Sequence, residues 1–166
     1  MASTAISTHL PPIAAPARDE AGKALQATLV ELIDLGLLGK QLHWSIVGHL
    51  FMPLHLQLDE LVDSWRELSD TVAERAVAIG VWPDGQAAAV AAGGGAAALD
   101  PGAIDDVGVV RELEGRLANV TEHIRTRMDR LGELDLASQD VLIETVRELE
   151  KQLWMVRAQL TEDGGH

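Results

Sequence analysis

Apolar residues recur at three- and four-residue steps over four long stretches of this chain, and no stretch alternates with the two-residue period of a strand. The first stretch opens at Asp19 or Glu20 and runs to about Val47, where Gly48 stops it. The second spans 51–79, and Pro53 is tolerated because it lies in the first turn. Two further stretches cover about 104–131 and 138–160, the last with Ser138 as its expected N-cap. The pattern therefore predicts four amphipathic helices.

The segments between and around these helices predict how they are connected. Pro83 and Gly85 mark a turn after the second helix, and residues 86–103 are a low-complexity Ala/Gly stretch that carries at most one short helix. A long connection between helices 2 and 3 is typical of an all-α four-helix bundle with a crossover. Residues 1–18 and 161–166 lack an apolar period, so we expect a flexible N-terminal tail, one bundle domain over 19–160 and a short C-terminal tail.

Composition narrows the chemistry. Cysteine is absent, which excludes disulfides and thiolate metal sites. No apolar run approaches the roughly 20 residues of a membrane span, and the start lacks the pattern of a secretory signal, so we expect a cytoplasmic protein without membrane contact. The net charge of −13 argues against a large nucleic-acid interface and suits a protein that attracts cations, although excess acid also simply confers solubility.

Five residues of metal-binding type lie at spacings of 12, 4, 11 and 4, namely His43, His55, Asp59, Asp70 and Glu74. His55 and Asp59 are one helical turn apart, as are Asp70 and Glu74, so each pair can project side by side. At about 1.5 Å of rise per residue, however, Asp59 and Asp70 are roughly 16 Å apart along one helix. A single straight helix cannot bring both pairs to one ion. A second, antiparallel copy across a two-fold axis can, so the spacing predicts a metal site at a dimer interface.

Simpler interpretations of these residues remain open. His43 alone would suit a buried histidine with one hydrogen bond, and the acids of helix 2 would suit a solvated face. His55, Asp59, Asp70 and Glu74 nevertheless fall within about a 100° arc, where like charges repel unless a cation or partner relieves them. Imidazole with carboxylate suits Fe(II), Mn(II) or Zn(II). The chain has no Glu-x-x-His pair, so a di-iron site inside one bundle is not expected.

The segment GKQLHWSIVGHLFMPLHLQLDELVDSWRELSDTVAERAVAIG, residues 39–80, resembles the signature region of the Dps proteins, mini-ferritins of the ferritin-like superfamily. The family pattern is a His-Trp, a His twelve residues later, an Asp one turn on, and an Asp-x-x-x-Glu that leads into Ala-Glu-Arg. It is met by His43-Trp44, His55, Asp59, Asp70 and Ala73-Glu74-Arg75. LEKQLWMVRAQL, residues 149–160, also resembles the last helix of the family. The alanine, glycine and arginine usage further suggests a GC-rich bacterial source.

The resemblance implies a ferritin-like fold and a hollow homo-dodecamer with 23 symmetry. It implies a ferroxidase that oxidises Fe(II) with hydrogen peroxide, or more slowly O2, at inter-subunit centres of two irons each, and stores ferric mineral against oxidative damage. By analogy, Glu74 and Asp70 come from one subunit, His43 completes the tighter site from the other, and His55 with Asp59 forms the weaker one. The ligand types themselves also fit a Mn or Zn store, and by the Irving–Williams order Zn competes with Fe(II) at such a site.

The resemblance also suggests residues around the centre and the ion path. Lys40 and Trp44 would lie beside the centre, with a solvated lysine and a core-packed tryptophan as the simpler alternatives. Pore candidates near the start of the last helix are Asp140, Asp135 and Glu133.

DNA binding in the family usually relies on a basic tail. Residues 1–18 contain one arginine, Arg18, and no lysine, so we expect no appreciable DNA binding at physiological salt. The alternative function is a nucleoid-binding or scaffolding shell with minor ferroxidase activity.

Overall fold

The computed structural model describes residues 9–94 and 98–160 of the chain. Four long helices carry the fold, a short helix lies in the connection between the second and third of them, and two two-residue strands pair with each other. In chain order the elements are α1 (Ala15–Ser45), β1 (Ile46–Val47), α2 (Phe51–Ala78), α3 (Ala87–Gly93), β2 (Ile104–Asp105), α4 (Asp106–Leu131) and α5 (Leu136–Arg157). The predicted all-α bundle with a long connection and a short helix is confirmed.

Three helix starts differ from the prediction. Helix α4 begins at Asp106 rather than at about 104, because residues 104 and 105 form β2. Helix α1 begins at Ala15, four residues early, because Pro16 is compatible with a first turn and Ile13 packs against the core ahead of it. Helix α5 begins at Leu136, since Asp135 rather than Ser138 is its N-cap: the Ser138 backbone N–H donates to Asp135 Oδ2 at 3.0 Å. Of the predicted N-terminal tail, residues 15–18 therefore lie in α1 and residues 9–14 precede it, while residues 1–8, like the predicted C-terminal tail 161–166, lie outside the described residues.

Helix α1 packs mainly along α2, and α4 mainly along α5, so the bundle consists of two helical hairpins. Leucines and valines at helical spacing fill the core, together with one large aromatic residue, Trp65, that is fully buried. Its Nε1 donates to Gln152 Oε1 at 2.7 Å, which satisfies the indole inside the apolar core. A Cβ at Gly39 would lie 2.6 Å from the Trp65 ring, so this crossing requires glycine. Leu37 follows the apolar spacing of α1 but is 62% exposed, so it lies outside this core.

The α1–α2 connection is tied to the far hairpin by the strand pair. β1 and β2 run parallel, with Ile46 opposite Ile104 and Val47 opposite Asp105. The turn between the first two helices therefore rests on the start of α4. Within the described ranges, no helix combines the length and apolar character needed to cross a membrane.

Candidate metal centre

His43 and His55 form a stacked pair on adjacent helices. His43 lies in the last turn of α1, and His55 lies on α2, one turn after Phe51. Their ring centroids are 3.6 Å apart with an interplanar angle of 22°, and the Phe51 ring stacks on His55 at 4.9 Å. His43 is buried and His55 is half-buried. The pairing brings two residues twelve apart in sequence into direct contact.

Each of these histidines is held by a backbone carbonyl of the other. His43 Nδ1 is 3.0 Å from the His55 carbonyl oxygen, and His55 Nδ1 is 3.1 Å from the His43 carbonyl oxygen. Because a carbonyl oxygen can only accept, each Nδ1 carries the hydrogen and donates it. In the neutral imidazole, Nε2 is then the unprotonated nitrogen. A histidine oriented in this way is prepared to ligate a metal through Nε2.

Asp59 stands beside this pair and is bound to a lysine. Lys40 Nζ lies 2.6 Å from Asp59 Oδ1, and His43 Nδ1 lies 3.4 Å from the same oxygen. The hydrogen bond from Lys40 holds the pKa of Asp59 below its usual value against the opposing effect of burial, and the charges of Lys40 and the two histidines add to the lowering. Asp59 is therefore an anionic ligand candidate, and a cationic side chain already neutralises it.

Asp70 and Glu74 lie further along α2 and are exposed. Asp70 lines a groove of about 400 Å³ between α1 and α2 that also reaches Lys40. Apolar side chains form most of its remaining wall, among them Leu29, Leu37 and Ala73. The groove thus places Asp70 on the same surface as Lys40, the lysine that binds Asp59.

Within one chain the five candidate ligands do not meet at one point. Over residues 9–94 and 98–160, no group of three His, Asp or Glu side chains converges closely enough to hold a metal ion. The structure brings His43, His55 and Asp59 together at one end of α2, while Asp70 and Glu74 lie about three to four turns away along the same helix. A complete centre from these residues requires a second chain.

The remaining sequence candidates have varied surroundings. Trp44 is 70% exposed, so it does not pack in the core of its own chain, and Lys40 Nζ lies 5.8 Å from the centroid of its ring.

Asp140 is exposed on the first turns of α5, and Glu133 is exposed in the turn before it. Asp135 is largely enclosed: Arg75 Nη2 donates to its Oδ2 at 2.6 Å while it caps α5. Asp135 thus has a structural role whether or not it lines a pore.

Sequence reasoning did not identify Asp106, which contacts the turn between the two histidine-bearing helices. Leu50 N–H donates to its Oδ2 at 3.0 Å, and Val107 N–H donates to its Oδ1 at 3.0 Å. The one signal in the sequence is the Asp105-Asp106 pair at the start of α4, which predicts a helix cap. Nothing in the sequence indicates that the second of the two also reaches the α1–α2 turn, 56 residues away.

This chain is similar to known proteins both in sequence and in fold. A ferritin-like domain matches residues 22–164 of this chain. A DNA protection during starvation protein of Mycolicibacterium smegmatis is 36% identical over 149 residues, covering 85% of this chain and 77% of that protein. The tetragonal form of Mycobacterium smegmatis Dps superposes with a TM-score of 0.90 at 32% identity, over 97% of this chain and 98% of that one. DpsA14 from Streptomyces coelicolor gives 0.89 at 32% identity, over 96% and 95% of the two chains.

Proposed function

Because this chain belongs to the ferritin-like family, and within it to the Dps proteins, we propose that it oxidises Fe(II) and stores the ferric product. The oxidant is hydrogen peroxide, with O2 as a slower alternative. The working form is a homo-dodecamer of 23 symmetry whose interior holds the mineral. Iron is the substrate and the stored cargo, so the protein is a ferroxidase and a mini-ferritin that removes iron and peroxide together.

The observation that best supports this proposal is the His43–His55 pair. The two imidazoles lie side by side, and each donates its Nδ1–H to a carbonyl oxygen. The two Nε2 atoms are therefore the nitrogens that can bind a metal. A histidine with a purely structural role needs only one hydrogen bond. Two stacked histidines beside a carboxylate provide more potential metal-binding atoms than such a role requires. Two nitrogen donors and carboxylate oxygens, without sulfur, form a donor set that suits Fe(II).

We place the centre between two copies of the chain. One copy contributes His43, His55 and Asp59, and the antiparallel α2 of its mate contributes Asp70 and Glu74. The exposure of Asp70 and Glu74, and the groove that Asp70 lines, leave room for such a mate on this face. Each centre would take two irons, with Glu74 as the principal carboxylate of the tighter site. A two-fold interface then creates two equivalent centres.

The chemistry of the centre is a two-electron transfer. Two Fe(II) ions each lose one electron, and one peroxide accepts both electrons together with two protons to give two waters. Consuming both electrons at one centre avoids release of hydroxyl radical. In the apo chain Lys40 neutralises Asp59, so the binding of iron there exchanges an ammonium group for a metal cation. The Irving–Williams order places Zn(II) above Fe(II) for such donors, so Zn, and less strongly Mn, should compete.

Iron entry is proposed at the start of α5. Asp140 is the best pore candidate because its carboxylate is exposed, with Glu133 next, whereas Asp135 has Oδ2 engaged by Arg75 and Ser138. DNA binding is not part of the proposal, since a chain of net charge −13 whose residues 1–18 contain one arginine and no lysine gains little from counterion release.

The decisive experiment is anaerobic loading with Fe(II), followed by a stoichiometric peroxide pulse, with the ferric-oxo absorbance and peroxide consumption followed together. Sedimentation of the same sample reports particle size. We expect two Fe(II) oxidised per peroxide in a particle of twelve subunits. If an intact shell oxidises iron no faster than free iron in buffer, the proposal fails and a scaffolding role becomes the better account.

A further inference from the structure

The turn between α1 and α2 determines how the two histidines meet. His43 lies two residues before the end of α1, and His55 lies four residues after the start of α2, so the connection 46–50 sets the distance between them. Their reciprocal hydrogen bonds use main-chain carbonyls of these two helix ends. A small shift of the start of α2 relative to the end of α1 would break both bonds and separate the stacked rings.

This turn has little to hold it within its own hairpin. The N-cap of α2 is Leu50, whose side chain cannot accept a hydrogen bond, and no acidic residue lies in the first turn of α2. A helix start normally needs an acceptor for its free N–H groups and favours a negative charge. Here the acceptor comes from α4, since Leu50 N–H donates to Asp106 Oδ2 at 3.0 Å.

The approach of the turn to Asp106 is close. Gly48 has φ +127°, and a Cβ built there would lie 2.6 Å from Asp106 Oδ2. The other carboxylate oxygen accepts from Val107 N–H at 3.0 Å in the first turn of α4. The Asp106 carboxylate thus accepts hydrogen bonds at the starts of both α2 and α4. The adjacent pairing of β1 with β2 orients the turn but offers no acceptor at the start of α2.

We propose that Asp106 is a positioning residue for the metal centre: through the 48–50 turn it holds α2 where the His43 and His55 rings stack and donate to each other's carbonyls. It contacts neither iron nor peroxide and acts only through the two imidazoles. The inference rests on the proposed function for its effect on iron, but its effect on the histidines is independent of that function.

The chain supplies a matched control one residue earlier. Asp105 is the N-cap of α4 and accepts from Gly108 N–H at 2.7 Å, and no hydrogen bond found for its side chain reaches the turn. Asp105→Ala removes a cap from the same helix start and keeps the backbone pairing of β2 with β1, so it reports the cost of weakening the start of α4 while the Asp106 carboxylate stays in place. Asp106→Asn keeps an oxygen that can accept from Leu50 N–H, and it should rescue part of the loss caused by Asp106→Ala.

The experiment combines two readouts on assembled wild-type and variant particles. Solid-state 15N NMR of histidine-labelled, sedimented protein reports which ring nitrogen carries the hydrogen, with His43→Gln and His55→Gln used to assign the signals. Anaerobic titration with Co(II), a redox-inert probe, reports metal affinity. We expect Asp106→Ala to convert the single Nδ1–H signals into mixed tautomers and to weaken Co(II) binding about tenfold, as for loss of a supporting contact around a metal site. Asp106→Asn should fall between this variant and wild type.

The outcomes separate the two proposals. Unchanged imidazole signals in Asp106→Ala, or an equal change in Asp105→Ala, would overturn the positioning role. If Asp106→Ala does not assemble, Asp106→Asn is compared with Asp105→Ala instead. Equal imidazole spectra in these two variants would count against the positioning role. Altered tautomers in a protein whose wild type neither binds Co(II) nor accelerates iron oxidation would leave the positioning role standing and remove the proposed function.

Discussion

The proposed centre needs two chains, because one chain supplies the histidine ligands and the other supplies the carboxylates from further along α2. In a His43→Ala particle every centre lacks an imidazole, and in a Glu74→Ala particle every centre lacks a carboxylate. We expect both to assemble and to oxidise Fe(II) several-fold more slowly than wild type. A mixed particle of the two variants should nevertheless oxidise Fe(II) faster than either parent.

The expected gain follows from the two-fold geometry. In an equal, random mixture about half of the two-fold interfaces pair one variant with the other. At each such interface one centre combines both lesions, while the other combines the intact His43 of one chain with the intact Glu74 of its mate. About a quarter of all centres are therefore restored, so the initial peroxide-driven rate should include about a quarter of the wild-type value in addition to the residual rate of the centres that still carry a lesion.

The assay is co-expression of the two variants with different tags, isolation of doubly tagged particles, and stopped-flow measurement of ferric absorbance after peroxide addition. Mixing His43→Ala with His55→Ala is the control, since both lesions lie on the same side of the centre and no interface can restore it. A mixed His43→Ala and Glu74→Ala particle no faster than its parents would refute the two-chain centre. A gain in the control would show that the activity does not depend on these residues as a set.

Three other predictions test separate parts of the structure. Lys40→Gln frees Asp59 from its ion pair, so Zn(II) affinity measured by calorimetry should rise about two- to fivefold, and a fall would mean that Lys40 supports the site. Asp135→Ala removes the α5 cap and the enclosed Arg75 ion pair, and should lower the free energy of unfolding by about 2–3 kcal/mol in denaturant titrations. Burial raises the pKa of Asp135, but the hydrogen bonds from Ser138 and Arg75 outweigh it and the net pKa is lowered. Asp135 therefore contributes stability above its unfolded value of 3.8 that is lost as pH falls through the lower folded value, and Asp135→Asn should lack this acid-dependent loss. Finally, the assembled protein should not retard duplex DNA at about 150 mM salt without divalent cations, and a retained shift would contradict the charge argument.

Much of the helical architecture follows from local residue patterns, so it could be predicted from the sequence. Three- and four-residue spacing of leucine and valine requires one buried face per helix, and the Gly/Ala-rich stretch cannot form another long one. Helix ends were less predictable because caps compete: Asp135 and Ser138 are both good N-caps, and the ion pair of Asp135 with Arg75 selects the earlier one. The two-chain hypothesis also came from the sequence, because the rise of a helix is the same in every protein.

Only the tertiary structure decided what surrounds those ligands. The stacking of His43 on His55, the carbonyls that select their tautomers and the Lys40 bridge to Asp59 depend on how α1 and α2 cross. Asp106 reaches the start of α2 only because β1 and β2 bring distant segments together. Spacing along a helix determines which side chains share a face, since that follows from local geometry. Which atoms meet across helices depends on packing, and packing is a property of the whole chain.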